Sequence, residues 1–372
     1  MIPSNTHKIS VFSLTLTALE ELLSSSGLVK PKQTKMRSFQ IYRWLYQEWA
    51  DSWSTMTDLP QNLREWLEER VTMGQLALHH RGLAEDGTTK FLWRLPDGKT
   101  IESVLIPRTE ETEEGTRIKR LTLCISSQVG CAMACKFCLT GIQGLDRHLG
   151  AGEIVEQVWR VRKEFSVTNI VFMGMGEPLH NLENVLDACT ILLEQRGLNF
   201  SKRRVTVSTS GLVPAIKTLG ERVGVNLAVS LNATTDAIRD EIMPVNKRYP
   251  IGDLVRAAAA YPGGKFRRMM FEYVLLRGVN DTEADAERLV TLSRRANAKI
   301  NLIPFNEHPG ASWKRPTDAE VLAFQKFLLS RKVTATIRHS RGRDILAACG
   351  QLRSMFGTAR GTDRHKDAPR AG

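Results

Sequence analysis

Hydrophobic positions recur in two rhythms along the chain, and each rhythm predicts a different kind of element. From Leu19 to about Glu69 they repeat at steps of three and four, which is typical of amphipathic helices, and Pro31 and Pro60 interrupt the pattern. From Leu121 onward, short apolar runs alternate with helical segments about every thirty residues, which predicts βα units and a parallel sheet. The predicted strands are 121–126, 169–175, 204–209, 226–231, 269–275, 299–305 and 334–338.

This alternation defines the fold class as α/β. Six βα units predict a partial (β/α)6 barrel of the TIM type, with function at the carboxyl ends of its strands. Residues 152–164 form the most persuasive amphipathic helix, with Ile154, Val155, Val158 and Val161 on one face. The predicted organisation is an N-terminal helical accessory domain (1–80), a β-hairpin linker region (81–120), the core barrel (121–352) and a basic disordered tail (353–372).

Alternating residues in 90–95 and 100–106, on either side of a Pro-Asp-Gly turn, predict the hairpin. Glu102 lies in its second strand and shares a face with Val104 and Ile106. One interpretation is a partly buried carboxylate, which needs a partner or has a raised pKa; the other is an edge-strand residue that faces solvent. The acidic run at 110, 111, 113 and 114 predicts a solvated loop.

The predicted accessory domain is rich in aromatic and basic residues. It contains four of the seven tryptophans, Trp44, Trp49, Trp53 and Trp66, near Lys32, Lys35, Arg37 and Arg43. This composition could form a stacking and phosphate-binding surface, on which the expectation of an RNA-binding domain rests. Residue by residue, the composition favours a small helical bundle that uses the aromatic side chains as its core.

Composition narrows the class of protein. With 372 residues, 42% of them hydrophobic and 25% charged, the chain can bury a large core, which excludes disordered and collagen-like classes. No apolar run approaches the roughly 18–20 residues of a membrane span, and the first 19 residues lack a signal-peptide pattern, so we expect a cytoplasmic protein. The formal net charge of +12 favours a polyanion partner such as nucleic acid.

Three of the six cysteines suggest the chemistry. Cys131, Cys135 and Cys138 follow the first predicted barrel strand with the spacing Cys-x3-Cys-x2-Cys. Three such thiolates can bind three irons of a [4Fe–4S] cluster and leave the fourth iron open to a chelating ligand. A zinc site with His148 as fourth ligand and a disulfide framework are the alternatives.

The three cysteines, placed after a barrel strand, resemble the signature of the radical S-adenosylmethionine (SAM) superfamily. That resemblance implies a radical SAM barrel in which the open iron chelates SAM and one electron from the cluster releases a 5′-deoxyadenosyl radical. Further blocks, over about nine tenths of the chain, are similar to the RlmN/Cfr family of RNA methyltransferases. They are Ser126–Gly130, Gly174–Pro178, Ser208–Gly211, Ser230–Ala233, Arg239–Lys247, Asn301–Asn306 and Ala348–Leu352.

The family resemblance implies a role for particular residues. Those that match SAM contacts are Gly176, Glu177, Ser208, Ser230, Leu231, Asn232 and Asn306. Many family members have His where this chain has Asn232. Cys349 matches the cysteine that becomes S-methylated, Cys124 matches its disulfide partner, and Glu102 matches a proton acceptor. Cys189, in a helical stretch, is interpreted as core packing.

The implied activity is methylation of carbon 2 of adenine in 23S ribosomal RNA and in transfer RNA, through an S-methylcysteine and a covalent RNA adduct. Two SAM per turnover and an external, flavodoxin-like electron donor are implied. Cfr-type methylation at carbon 8 and a non-catalytic, RNA-binding iron–sulfur redox sensor remain alternatives. Basic patches that could follow an RNA backbone are 202–204, Lys247 with Arg248, Lys265 with Arg267 and Arg268, and 338–343.

Overall fold

The structure is a computed structural model that describes residues 8–112, 115–262, 269–308, 311–338, 340–342 and 344–353. Its N-terminal part contains helices, as the periodicity predicts. It also contains a short parallel strand pair that the periodicity does not predict. The elements are β1 (Ile9–Ser10), α1 (Leu16–Ser25), α2 (Pro31–Tyr46), α3 (Gln61–Arg70) and β2 (Val71–Thr72). Ile9 pairs with Val71, which closes this part of the chain on itself.

Four antiparallel strands follow and form one side of the main sheet. They are β3 (Ala77–Leu83), β4 (Thr89–Arg94), β5 (Thr100–Thr112) and β6 (Gly115–Cys124). The predicted hairpin is therefore present as β4 and β5. The prediction of an acidic loop is wrong for Glu110 and Glu111, which lie in β5 and pair with Arg117 and Thr116 of β6. The two other acidic residues of that run, 113 and 114, lie outside the described residues.

The rest of the described chain alternates between strands and helices. Its elements are β7 (Gln128–Gly130), α4 (Leu139–Gln143), β8 (Leu145–His148), α5 (Ala151–Arg162), β9 (Asn169–Phe172), α6 (Leu182–Leu193), β10 (Val205–Thr209), α7 (Val213–Arg222), β11 (Asn226–Ser230), α8 (Asp236–Ile242), α9 (Ile251–Ala259), β12 (Met270–Leu275), α10 (Glu283–Ala296), β13 (Lys299–Pro304), α11 (Asp318–Ser330) and β14 (Ala335–Ile337).

The main sheet has the order β14-β13-β12-β11-β10-β9-β6-β5-β4-β3 within the described residues. Neighbouring strands from β14 to β6 are parallel, and β5, β4 and β3 extend the sheet with antiparallel pairing. Six helical crossovers connect the parallel strands, which confirms the predicted partial barrel. The carboxyl ends of these strands therefore meet at one edge, where loops can form a site.

The N-terminal helices pack against the barrel instead of standing apart from it. Phe12 lies 5.0 Å from Trp159 of α5, measured between ring centroids, and the indole N–H of Trp159 donates to the carbonyl of Leu45. Trp53 is buried, and Trp44, Trp49 and Trp66 pack partly buried against the same core. The tryptophans thus serve as packing residues, the second of the two interpretations of this region.

No helix among the described residues combines the length and the apolarity that a membrane span requires. Four of the predicted basic residues, Lys265, Arg267, Arg268 and Arg343, lie outside the described residues, as does the predicted tail from residue 354 onward. The clusters at 202–204 and at Lys247 with Arg248 are exposed.

Candidate active site

A cavity opens at the carboxyl ends of the parallel strands and encloses about 900 Å³ of non-protein space, part of it open to solvent. Of the predicted site residues, those that line it are Cys131, Cys135, Cys138, Gly176, Glu177, Ser208, Ser230, Asn232, Asn306 and Cys349. Leu231, Cys124 and Glu102 do not line it. The sheet therefore brings together residues that are separated by more than 200 positions in the sequence.

Backbone hydrogen bonds fix the loop that carries Cys131, Cys135 and Cys138. Cys131 N–H donates to the carbonyl of Gly144, and Cys138 N–H donates to the carbonyl of Cys135. Burial raises the pKa of the Cys131 thiol to about 12; a hydrogen bond from the backbone N–H of Met133 opposes this increase, and the charges of Glu177 and Cys138 add to it. Burial and the neighbouring thiols raise the pKa of Cys135 well above its usual value. Thiols with raised pKa values ionise to thiolates when a cation lies beside them, and a bound metal centre would supply that cation.

The loop after β9 forms the wall opposite the cysteines. Gly176 has φ +100°, and a Cβ there would lie 2.6 Å from Cβ of Gln128. Glu177 is buried, and its carboxylate accepts hydrogen bonds from the backbone N–H groups of Leu179 and Ser210. Burial raises the pKa of Glu177, which these hydrogen bonds oppose. A buried carboxylate in this position can accept a hydrogen bond from the ammonium group of a ligand.

Asn232 connects the ends of two strands. It adopts the left-handed conformation, φ +55°, which asparagine tolerates better than most residues. Its side-chain oxygen accepts from Val274 N–H at 2.8 Å, and its amide nitrogen lies 3.2 Å from the sulfur of Met243. Both polar atoms of the Asn232 side chain therefore already contact other residues of the protein.

Several buried oxygens of the cavity lack a hydrogen-bond partner among the described residues. They are Oγ of Ser210, Oδ1 of Asn306 and Oε1 of Glu272, the last of which has an ion-pair partner in Arg338 at 3.7 Å. An unpaired buried polar atom is costly, and the donors of a bound ligand would satisfy it. Ammonium and hydroxyl groups of the kind that SAM carries fit these acceptors, and the amide nitrogen of Asn306 is already held by the carbonyl of Cys349.

Cys349 and Cys124 lie close enough for their charges to interact, although both are free thiols in this structure. Cys124 ends β6 and is buried, and burial with the charge of Cys349 raises its pKa to about 12. Burial also raises the pKa of Cys349, while the guanidinium group of Arg338 opposes this increase. Arg338 thus favours the thiolate form of both cysteines.

Glu102 is buried, so the solvent-facing alternative for this residue is wrong. Its carboxylate lies 3.0 Å from the ammonium nitrogen of Lys90 and accepts from the backbone N–H of Arg353 at 3.0 Å. Burial raises its pKa, with Lys90 acting in the opposite direction. Because Val104 pairs with Cys124 and shares a face with Glu102, the carboxylate lies on the same side of the sheet as Cys124.

Two site residues were not assigned to the cavity from sequence. Glu272 lines it from β12, where its carboxylate accepts from the hydroxyl group of Ser208 at 3.0 Å. Arg338, interpreted above as part of an RNA-tracking patch, lies 3.7 Å from the carboxylate of Glu272. For Glu272, the sequence signal that could have indicated a site residue is its position as a single acidic residue inside the apolar run 269–275.

Within the described residues, no three His, Cys, Asp or Glu side chains are placed to bind one metal ion. A [4Fe–4S] cluster makes a different demand, since each of its cysteines binds a different iron and the thiols lie further apart. His148, the candidate zinc ligand, lies outside the cavity lining. Its ring is 2.9 Å from the amide nitrogen of Gln128 and packs edge-on against His180. The cysteine loop therefore fits the cluster better than zinc.

Comparisons with known proteins agree with this geometry. Residues 125–290 match the Radical SAM superfamily, and residues 9–73 match the Ribosomal RNA large subunit methyltransferase N-terminal domain. The chain is 49% identical over 352 residues to a protein of Geotalea uraniireducens named Dual-specificity RNA methyltransferase RlmN, covering 95% of this chain and 98% of that one. The chain belongs to the RlmN family.

A second RlmN relative, from Geobacter sulfurreducens, is 50% identical over 348 residues and covers 94% of this chain and 93% of its own length. The crystal structure of a radical SAM methyltransferase from Sphaerobacter thermophilus superposes with a TM-score of 0.83 at 45% identity, covering 93% of this chain and 99% of that one. RlmN family members, as radical SAM proteins, use a [4Fe–4S] cluster and SAM, and the cavity described above offers thiols and polar acceptors for both.

Proposed function

We propose that the chain is a radical SAM RNA methyltransferase that methylates carbon 2 of adenine in 23S ribosomal RNA and in transfer RNA. The observation that carries this proposal is that Cys349 lines the same cavity as Cys131, Cys135 and Cys138. A cluster-binding loop and a separate thiol at one cavity fit a methyl group that is first placed on the protein. The relatives named RNA methyltransferases, which match nearly the whole chain, support RNA as the substrate.

Carbon 2 of adenine is electron-poor, so ordinary displacement of a methyl group from SAM is ineffective there. When bound, the cluster and SAM supply a radical that can remove hydrogen from an unactivated carbon. Cys349 would accept a methyl group from one SAM, and a second SAM would be consumed in activating that S-methyl group. The methylene carbon would then bond to carbon 2 of adenine, and the ring would give up its unpaired electron to the oxidised cluster. The RNA would stay attached to Cys349 until it is released.

Release requires a base and a second thiol. Glu102 is proposed as the proton acceptor because burial raises its pKa and makes its carboxylate a stronger base than an exposed one. Attack of the Cys124 thiolate on the sulfur of Cys349 would form a disulfide and break the sulfur–methylene bond, whose electron pair stays on the carbon and takes up one proton to give the methyl group. Arg338 favours the thiolate of Cys124, whose pKa burial otherwise raises.

The proposed contacts with SAM follow from the cavity. Glu177 would accept from the ammonium group, while Gly176, Ser208, the segment from Ser230 to Asn232, and Asn306 would complete the pocket. An external, flavodoxin-like electron donor would reduce the cluster. We place the protein in the cytoplasm because both the cluster cysteines and the Cys124–Cys349 cycle need a reducing compartment.

Substitution of the cysteines tests this proposal. We expect Cys349→Ala to abolish methylation and Cys124→Ala to accumulate an RNA adduct bound through Cys349, both measured by mass spectrometry of the purified, reconstituted protein. Cys189→Ala is the matched control, since Cys189 is a buried core residue of α6 outside the cavity, and it should retain turnover. Normal turnover by Cys124→Ala, with no RNA bound, would contradict the role of Cys124.

A further inference from the structure

A second cleft, at the opposite end of the strands that carry the cavity, is lined mainly by positive charges. It encloses about 550 Å³ of non-protein space, part of it open to solvent. Its lining residues are Arg108 of β5, Lys119 and Arg120 of β6, Thr168 and Asn169 at the start of β9, and Arg204 just before β10. We propose that this cleft, named here the arginine cleft, binds phosphate groups of the RNA strand that carries the target adenosine; this inference rests on the proposed function.

Strand register places the arginine cleft on the same face of the sheet as Cys124. Val104 pairs with Cys124 and Arg108 pairs with Arg120 in the β5–β6 ladder. Since side chains on one strand alternate between faces, Arg120 and Cys124, four residues apart, share a face at a separation of about 13 Å. A bound strand can therefore run along this face from the cleft to the cavity.

The charges of the arginine cleft are poorly compensated. Arg108, Arg120 and Arg204 form no ion pair within the described part of the chain, whereas Lys119 pairs with Glu110 at the edge. Partial burial, followed by the positive charges of Arg108 and Arg338, lowers the pKa of Arg120. Like charges that crowd together without a partner destabilise the free protein, and a bound anion relieves this repulsion.

The donors suit phosphate in particular. A guanidinium group presents a planar fork of N–H donors that matches phosphate oxygens. The side-chain oxygen of Asn169 accepts from the hydroxyl group of Thr168, which leaves its amide nitrogen as a further donor. Contacts of this type position a strand without reading its sequence. The arginine cleft would thus anchor a neighbouring nucleotide while the target adenine, extruded from its stack, enters the cavity.

Arg338 extends the positive charge from the cleft toward the reacting groups. Its charge acts on Arg120 at one side and on Cys349 at the other. Arg338 therefore places one positive charge between the arginine cleft and Cys349, and it pairs with Glu272 at the cavity end. Positive charge on this side favours an RNA strand that places its phosphate groups in the arginine cleft and points the base of the nucleotide away from it.

Binding measurements with the full-length protein test this inference. The probe is a synthetic fragment of 23S ribosomal RNA that contains the target adenosine, titrated over a series of KCl concentrations. We expect Arg108→Gln and Arg120→Gln each to weaken binding about tenfold. The slope of log affinity against log salt should fall by about 0.7 for each phosphate of the single strand that the variant no longer neutralises. Arg256→Gln is the control, because Arg256 is an exposed arginine of α9 that pairs with Asp253.

A neutral methylphosphonate linkage beside the target adenosine gives an independent readout. It should weaken binding to the wild-type protein and have little further effect on the Arg108→Gln/Arg120→Gln double variant, since both changes remove the same ion pair. S-methylation of Cys349 without RNA should stay at the wild-type level, which shows that the cavity is intact. Wild-type RNA affinity and salt slope in the double variant would overturn the phosphate-binding role of the arginine cleft and leave the proposed function intact. An equal loss of RNA affinity in Arg256→Gln would do the same. No RNA binding by the wild-type protein would overturn the proposed function as well.

Discussion

Gly176 illustrates how little room the ligand-facing loop leaves for a side chain. Its backbone has φ +100°, a conformation that L side chains rarely adopt, and a Cβ would lie within 3 Å of Gln128. Gln128 in turn accepts the N–H of Glu177 at 2.7 Å, so the same side chain supports the buried carboxylate. A substitution at Gly176 therefore displaces the group that is proposed to bind the SAM ammonium.

We predict that Gly176→Ala lowers both stability and SAM affinity. The expected loss is about 1–3 kcal/mol in the free energy of unfolding, from backbone strain and overpacking. Gly98→Ala is the control, because Gly98 also has positive φ, +81°, but nothing lies within 4 Å of a Cβ there. Urea unfolding and calorimetric titration with SAM measure the two effects. Unchanged SAM affinity in Gly176→Ala would argue against this loop as the SAM site.

Arg239 connects the ends of two neighbouring strands, β10 and β11. It is fully buried and donates to the backbone carbonyls of Leu231, Ser210 and Ser230 and to the side chain of Asn246. The carbonyls of Ser210 and Ser230 lie where β10 and β11 end, and the carbonyl of Leu231 also accepts the backbone N–H of Ala233. The guanidinium group therefore sets the positions of the loops that line the cavity.

We predict that Arg239→Met destabilises the protein by about 3–5 kcal/mol, because the acceptors at Ser210, Ser230 and Asn246 lose their donor at once. Arg256→Met, at an exposed arginine on α9, should change the free energy of unfolding by less than about 1 kcal/mol. Chemical denaturation followed by circular dichroism compares the two variants. Equal stabilities would show that Arg239 does not hold the strand ends.

The strands of the barrel were predictable, and their hydrophobic runs explain why. Each predicted strand from 169–175 to 334–338 overlaps an observed one, since buried parallel strands read as continuous apolar runs. Strand β3 was missed because most of its residues, His79 and His80 among them, are exposed and give no apolar alternation. The acidic run of β5 was missed for a similar reason, since its pairing with a basic strand is a long-range property.

The candidate site also has parts that local sequence patterns predict and parts that only the fold brings together. The cysteine spacing and the glycine-rich loop are local patterns, so the sequence was enough to single them out. The approach of Glu272 to Arg338 depends on β12 and β14 lying on either side of β13 in the sheet, which no local pattern encodes. The four cations of the arginine cleft come from three separate stretches of chain, and only the strand register places them together.

The N-terminal helices and the barrel share one hydrophobic core. Residues from Val11 to Val71 belong to the same buried cluster as the strands of the main sheet. Between the two parts, the buried carboxylate of Glu156 on α5 accepts the backbone N–H groups of Gln75 and Leu76 and pairs with Arg160. This arrangement couples the folding of the helical part to that of the barrel.

We predict that the two parts unfold together. Four of the seven tryptophans lie before residue 80, so tryptophan fluorescence reports mainly on the N-terminal helices, whereas far-UV circular dichroism reports on the whole chain. The midpoints of the two denaturation curves should coincide, as expected for a cooperative transition. A fluorescence transition at lower denaturant would show that the helical part is an independent unit.

The most direct measurement is mass spectrometry of nucleosides from protein-free 23S ribosomal RNA after anaerobic incubation with the reconstituted protein, SAM and a reductant. It reads the product of the reaction itself. The account predicts 2-methyladenosine, which disappears with Cys349→Ala. A product of 8-methyladenosine, or no methylated adenosine while 5′-deoxyadenosine still forms, would contradict it.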